Sequence, residues 1–189
     1  MSRSKLKRMK TPLQEADLRE LRTGDPVLLS GILYTARDSA HQRMIRLLED
    51  GQTLPLDLTG QVLFYAGPAP APPGKPVGSI GPTTACRMDA YTPQLLRMGL
   101  KGMIGKGARS RTVREAMLEY GAVYFAATGG IAALLALRVR RSRIVAFEDL
   151  GPEAVRKLEV IDFPLITIND LHGGDLYESA LQNRPPENS

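Results

Sequence analysis

The chain has 189 residues, 43% of them hydrophobic and 24% charged, with a formal net charge of +5. That is ordinary globular material for one domain with a real core. Five cations, Arg3, Lys5, Lys7, Arg8 and Lys10, account for the excess. Without them 20 basic residues face 20 acidic ones, which argues against a nucleic-acid backbone as partner.

Residues 1–12 read as a basic tail, too polar for a secretory signal. The single cysteine, Cys86, excludes an internal disulfide and points to the cytoplasm. Pro26 to Tyr34 forms an apolar strand run. A helix from about Ser39 follows, with Ala40, Met44, Leu47 and Leu48 on one face. Gln61 to Gly67 is a second strand, and the proline-rich Pro68 to Pro76 a stiff surface loop. Thr92-Pro93 predicts a helix start with Thr92 as N-cap, ending near Gly99.

KGMIG is a short strand, and Thr112-x-x-Glu115 reads as a capping box. The helix it opens turns Val113, Ala116, Met117 and Tyr120 inward and stops at Gly121. Tyr120 to Leu137 carries no charge, but Gly129-Gly130 divide it into strand AVYFAA and a helical run GIAALLALRV, so no membrane span is expected. Strand RIVAFEDL, a short helix PEAVRKL and strand DFPLITIND complete the pattern, and residues 183–189 read as a flexible tail. Alternating elements predict an α/β domain over residues 13–182.

Three turns before helices carry cations: Thr35 to Asp38, Gly81 to Arg87, and Gly105 to Ser110. Helix starts favour anions, and strand ends of an open α/β sheet converge on one crevice. Arg37, Arg87 and Lys106 together suit a ligand with two negative charges. A nucleotide loop fails on inspection: Gly107 follows Lys106 where Ser or Thr is needed, and Leu100 stands where the first glycine belongs. His41 reads as a helix residue bonded to a local carbonyl or carboxylate, His172 as a turn residue, and Glu148-Asp149 as a cap. Neither histidine has metal-binding spacing. Thr83 is an N-cap or an activated hydroxyl, and on the residues alone the cap weighs more.

The stretches TARDSAHQRM, GPTTACRMDAYTPQLL, GMIGKGARS and FEDLGPEAVRKLEVIDFP, in this order, resemble the iron–sulfur (class I) fumarases. The likeness runs from Pro12 to about Tyr177 and is to the C-terminal domain or separate β subunit of those enzymes. L-tartrate dehydratase has a similar β subunit, but Arg-Met-Asp, Gly-Lys-Gly-Ala-Arg and Phe-Glu-Asp-Leu-Gly stand nearer the fumarase side. The resemblance implies a swivelling β/β/α domain and a hydro-lyase subunit, inactive alone. It implies Arg37, Thr84, Arg87 and Lys106 as substrate-binding residues and Thr83 as the base at C3 of malate, with Asp38 and Asp89 orienting the arginines. It also implies a [4Fe–4S] cluster, for which one thiol is too few, so a partner α subunit holds it in an α2β2 hetero-oligomer. Cys86 is then a bystander. The alternatives are the β subunit of an L-tartrate dehydratase, turning tartrate to oxaloacetate, and, from another class, a non-catalytic binding module docking through its basic tail.

Overall fold

A computed structural model describes residues 5–127 and 132–182. In chain order the elements are β1 (Lys7–Lys10), α1 (Glu15–Arg19), β2 (Pro26–Thr35), α2 (Asp38–Glu49) and β3 (Val62–Phe64). Next come α3 (Thr92–Arg97), β4 (Gly102–Gly105), α4 (Arg111–Tyr120), β5 (Val123–Ala126) and α5 (Ala132–Ala136). The last are β6 (Val139–Ala146), β7 (Val155–Asn169) and α6 (Leu176–Gln182), with 3₁₀ turns at Ala85–Met88 and Glu148–Glu153.

The fold is α/β. Strands β1 to β5 lie side by side in parallel, and β7 runs antiparallel to β5, β6 and β2. Since β7 joins both β5 and β2, the pairing closes into a ring β2–β3–β4–β5–β7. Side chains alternate across a strand, and the sequence uses both faces. Phe64, Ile104 and Phe125 join Leu29, Leu158 and Phe163 in one apolar cluster. Their neighbours Leu63, Met103 and Tyr124 pack instead on Met44 of α2, Leu95 and Leu96 of α3, and Val113 and Met117 of α4. Strands buried on both faces explain the unbroken apolar runs VLF and GMIG.

Several local expectations are corrected. Residues 7–10 are not tail but the strand β1, with Met9 buried, Lys7 paired to Glu20 at 3.7 Å and Arg8 to Asp162 at 2.6 Å. The predicted helix PEAVRKL is a 3₁₀ turn followed by the start of β7, because Arg156 to Glu159 find strand partners on both β2 and β6. Tertiary pairing here overrides local helix propensity. Ser110, not Thr112, caps α4 by accepting from Val113 N at 3.4 Å. Thr92 lies inside α3 rather than capping it. The buried face of α2 includes His41 and Ile45, while Leu47 and Leu48 are half-buried.

Among the described residues no helix is long and apolar enough to cross a membrane. The uncharged segment is a strand and a helix, as expected, while Gly129-Gly130 lie outside the described residues. The expected tail at residues 183–189 also lies outside them.

Candidate functional site

Parallel strands β2, β3 and β4 end on the same side of the sheet. Each is followed at once by a residue that shapes the candidate site. After β2, Ala36 N donates to Phe64 O at 3.1 Å, and Arg37 and Asp38 open α2. After β3, Tyr65 N donates to Ile104 O at 2.8 Å. After β4 comes Lys106.

The segment Thr83–Ala85 is laid against these ends by backbone bonds. Thr83 N donates to Tyr65 O at 2.7 Å, Lys106 N to Thr83 O at 3.1 Å and Ala85 N to Lys106 O at 2.8 Å. Thr84 and Lys106 thus form a parallel bridge. Gly105 permits this approach, since a Cβ there would stand 2.9 Å from the Tyr65 ring and 3.0 Å from Ala85 Cβ.

The 3₁₀ turn then presents Arg87, which forks onto Asp38: Nε to Oδ1 at 2.8 Å and Nη2 to Oδ2 at 2.7 Å. A bidentate pair of this kind fixes the plane of the guanidinium. Arg37 stands beside the same carboxylate, 3.8 Å from Asp38 Oδ2, with Glu153 Oε1 3.6 Å from its Nη2. Its buried Nε has no hydrogen-bond partner among the described residues. Gly67 makes room for it, because a Cβ there would lie 3.2 Å from Arg37 Nη1.

Arg37, Thr83, Thr84, Arg87 and Lys106 are therefore brought together, at one end of the sheet. Arg87 and Lys106 are exposed, while Arg37, Thr83 and Thr84 are half-buried. Among the described residues the Lys106 ammonium has no ion pair or hydrogen bond. Thr83 is not a helix cap: its hydroxyl donates to Tyr65 O at 2.8 Å, which leaves the oxygen's lone pairs free to accept. Asp38 orients Arg87 as expected. Asp89 does not; it holds Arg109.

Arg109 is the residue that pattern reading missed. Its side chain is 0% exposed, and its Nε donates to Asp89 Oδ1 at 2.8 Å. Its other nitrogens donate to Tyr65 Oη at 3.1 Å and Thr92 Oγ1 at 2.7 Å. The guanidinium lies 5.3 Å from the Tyr65 ring centre and 5.2 Å from that of Tyr124. Burial opposes its charge, but Tyr65, Asp89 and Tyr124 together raise its pKa above the ordinary arginine value. Asp89 Oδ2 also accepts from Ser110 N at 2.7 Å, and Tyr124 Oη donates to Gly107 O at 2.9 Å. One buried cation thus ties Asp89 at the end of the 3₁₀ turn, Tyr65 after β3 and Thr92 of α3 to the loop after Lys106. Its sequence signal, an arginine in a glycine-rich turn, is the same as that of a solvated cation.

His41 lies beneath Arg37, fully buried, with Nδ1 2.8 Å from Arg37 O and its ring edge-on to Tyr65 at 5.3 Å. Burial lowers its pKa from 6.5 to about 4, helped by the charge of Arg109 and opposed by the Arg37 carbonyl, so at neutral pH it is uncharged. Nδ1 then donates to the carbonyl and Nε2 is left as an acceptor. His172 is the turn residue expected, its N–H donating to Asp170 Oδ1 at 2.8 Å.

Cys86 is exposed, and among the described residues no group of three or more His, Cys, Asp and Glu side chains is placed to hold a metal ion. One thiol does not fit a [4Fe–4S] cluster. The arrangement can instead grip a small dianion between three cations and present a hydroxyl oxygen beside it.

A family model described as the fumarase C-terminus matches residues 2–180. The chain is 41% identical over 178 residues to a protein of Methanocaldococcus jannaschii provisionally named L(+)-tartrate dehydratase subunit beta, covering 89% of each. It is 38% identical over 177 residues to fumarate hydratase 2 of Leishmania major, covering 92% of this chain and 31% of that protein. With the anaerobic class I fumarate hydratase of Escherichia coli the identity is 37% over 177 residues, and the shares are 92% and 32%. The chain spans about a third of the length of those two fumarate hydratases.

Proposed function

Given that the chain belongs to the fumarase C-terminus family, we propose that it is the β subunit of an iron–sulfur hydro-lyase hydrating fumarate reversibly to (S)-malate. The observation that carries this reading is the convergence of Arg37, Arg87 and Lys106 on the turn that presents Thr83. The fold is then of the swivelling β/β/α type, and the chain works in the cytoplasm. On this reading a partner α subunit holds the [4Fe–4S] cluster, for which one thiol is too few, in an α2β2 complex without which this chain is inactive. The exposure of Arg87 and Lys106 agrees with a half-site completed by another chain.

Arg37 and Arg87 bind the two carboxylates, with Asp38 holding the Arg87 fork in plane. The C3 proton of malate is weakly acidic, so its removal needs the adjacent carboxylate charge neutralised as carbanion character develops. Thr84 and Lys106 supply a further donor and a cation there. Thr83 accepts that proton only as an alkoxide, so its own hydroxyl proton, donated in the resting state to Tyr65 O, must first pass to solvent water, with the charge of Lys106 favouring the alkoxide left behind.

The test is the complex of both chains, purified anaerobically. Thr83→Ala should cut turnover at least about a hundredfold, within the range of a general base, with the cluster intact. Arg87→Ala should raise KM and lower kcat together. Undiminished turnover in Thr83→Ala sinks the base assignment.

One observation favours a second reading: a relative of matching length bears a tartrate dehydratase name. Assaying fumarate, malate and L-tartrate on one complex separates the two. Docking through a basic tail loses ground, because Lys7 and Arg8 are already paired within the fold.

A further inference from the structure

We infer that the chain carries a second anion site, for a compact polyanion with phosphoryl or carboxylate groups, on the face formed by β2, β7 and β6. The inference does not rest on the hydro-lyase reading.

In two rows across that face, Tyr34 pairs with Lys157 and Lys157 with Arg143, while Ile32 pairs with Glu159 and Glu159 with Arg141. The face bounds a cavity of about 650 Å³ lined by Arg140, Arg141, Arg143 and Lys157, with Glu159 as the one acid. Glu159 is engaged by Arg141 at 3.7 Å. Arg140, Arg143 and Lys157 have no ion pair or hydrogen bond from their side chains among the described residues. Arg143 and Lys157 stand directly opposite each other, an arrangement that repels unless something anionic lies between.

Charges on an edge strand also discourage sheet-to-sheet aggregation, and β6 pairs with β7 alone among the described strands. One or two charges serve that purpose. It does not account for a cavity of ligand size. A polyanion does, by bridging Arg143 and Lys157 and engaging Arg140. The ligand is a separate one from the dicarboxylate, since the site shares no residue with Arg37, Arg87 or Lys106.

The experiment is calorimetric titration of the full chain at low ionic strength with tripolyphosphate in one arm and citrate in the other. One molecule should bind per chain in at least one arm, and the arm that binds identifies the anionic group. Arg143→Ala and Lys157→Ala should each weaken binding by about tenfold or more, the loss of one hydrogen bond to a charged group. Arg87→Ala should leave it unchanged. Arg143→Gln and Lys157→Gln remove the same charges but keep longer polar side chains, so they carry the test if an alanine variant fails to fold. No binding at millimolar concentration overturns the inference. So does unchanged affinity in the Arg143 and Lys157 variants, or loss of binding in Arg87→Ala.

Discussion

Removing Arg109 should weaken the framework of the site while leaving in place every residue proposed to bind substrate. In Arg109→Ala, Asp89 loses its ion-pair partner although its side chain is only 13% exposed, and Tyr65 Oη and Thr92 Oγ1 lose a donor. Breaking a buried ion pair by removing one partner costs about 3–5 kcal/mol. The rings of Tyr65 and Tyr124 also lose a cation stacked against both, and the side chain leaves a cavity. A typical domain has about 5–15 kcal/mol of stability, so the variant should remain folded but weakened. Urea unfolding followed by circular dichroism measures this: with a slope of about 2 kcal/mol per molar, the midpoint falls by roughly 2 M. Arg109→Lys keeps the charge but not the fork, and should fall in between. Asp89→Asn combined with Arg109→Ala should cost about 1–3 kcal/mol less than the two single changes added. A loss below about 1 kcal/mol in Arg109→Ala, or strict additivity in the pair, would refute the view that this cation organises the site.

His41 makes stability depend on pH. Its folded pKa of about 4 lies below the ordinary 6.5, so the unfolded chain takes up the proton first and stability falls as pH drops from about 6.5 to about 4. The full loss is on the order of 3 kcal/mol, and His41→Leu should remove that slope; a wild-type curve flat between pH 7 and 5 counts against it. Below this window the lowered pKa of Asp170, whose carboxylate accepts from the Gly174, Thr23 and His172 amides, adds a separate loss. Asp38→Asn breaks a fork whose partners are 30% and 48% exposed. Its stability cost should stay under about 1 kcal/mol while KM in the two-chain complex rises severalfold; an unchanged KM would show that Arg87 needs no guide. Cys86→Ser, at an exposed position, should alter stability by no more than about 0.5 kcal/mol and leave turnover as it was, and a lost activity would return the thiol to the chemistry.

Features encoded within a few neighbouring residues were legible in the sequence. The strand β2, the helix α2, the stop at Gly121 with φ 63° and the cation-bearing turns before α2 and α4 all rest on local pattern and backbone freedom. So did the meeting of Arg37 and Lys106, because parallel strands of one sheet end together, whereas Arg87 joins them through the Thr84–Lys106 bridge and its fork onto Asp38. The tertiary structure alone decided which groups meet. Lys7–Lys10 looked like a charged tail until β2 offered it a parallel edge. Val155 to Leu158 read as helix until β2 and β6 flanked it with hydrogen-bonding partners. Asp38 and Arg87 are 49 positions apart and Asp89 and Arg109 are 20 apart. No short window of sequence contains both members of either pair. The residue types state what charges and hydroxyls are present; the closure of β2 through β7 sets the distances between them, and the site's electrostatics depend on those distances.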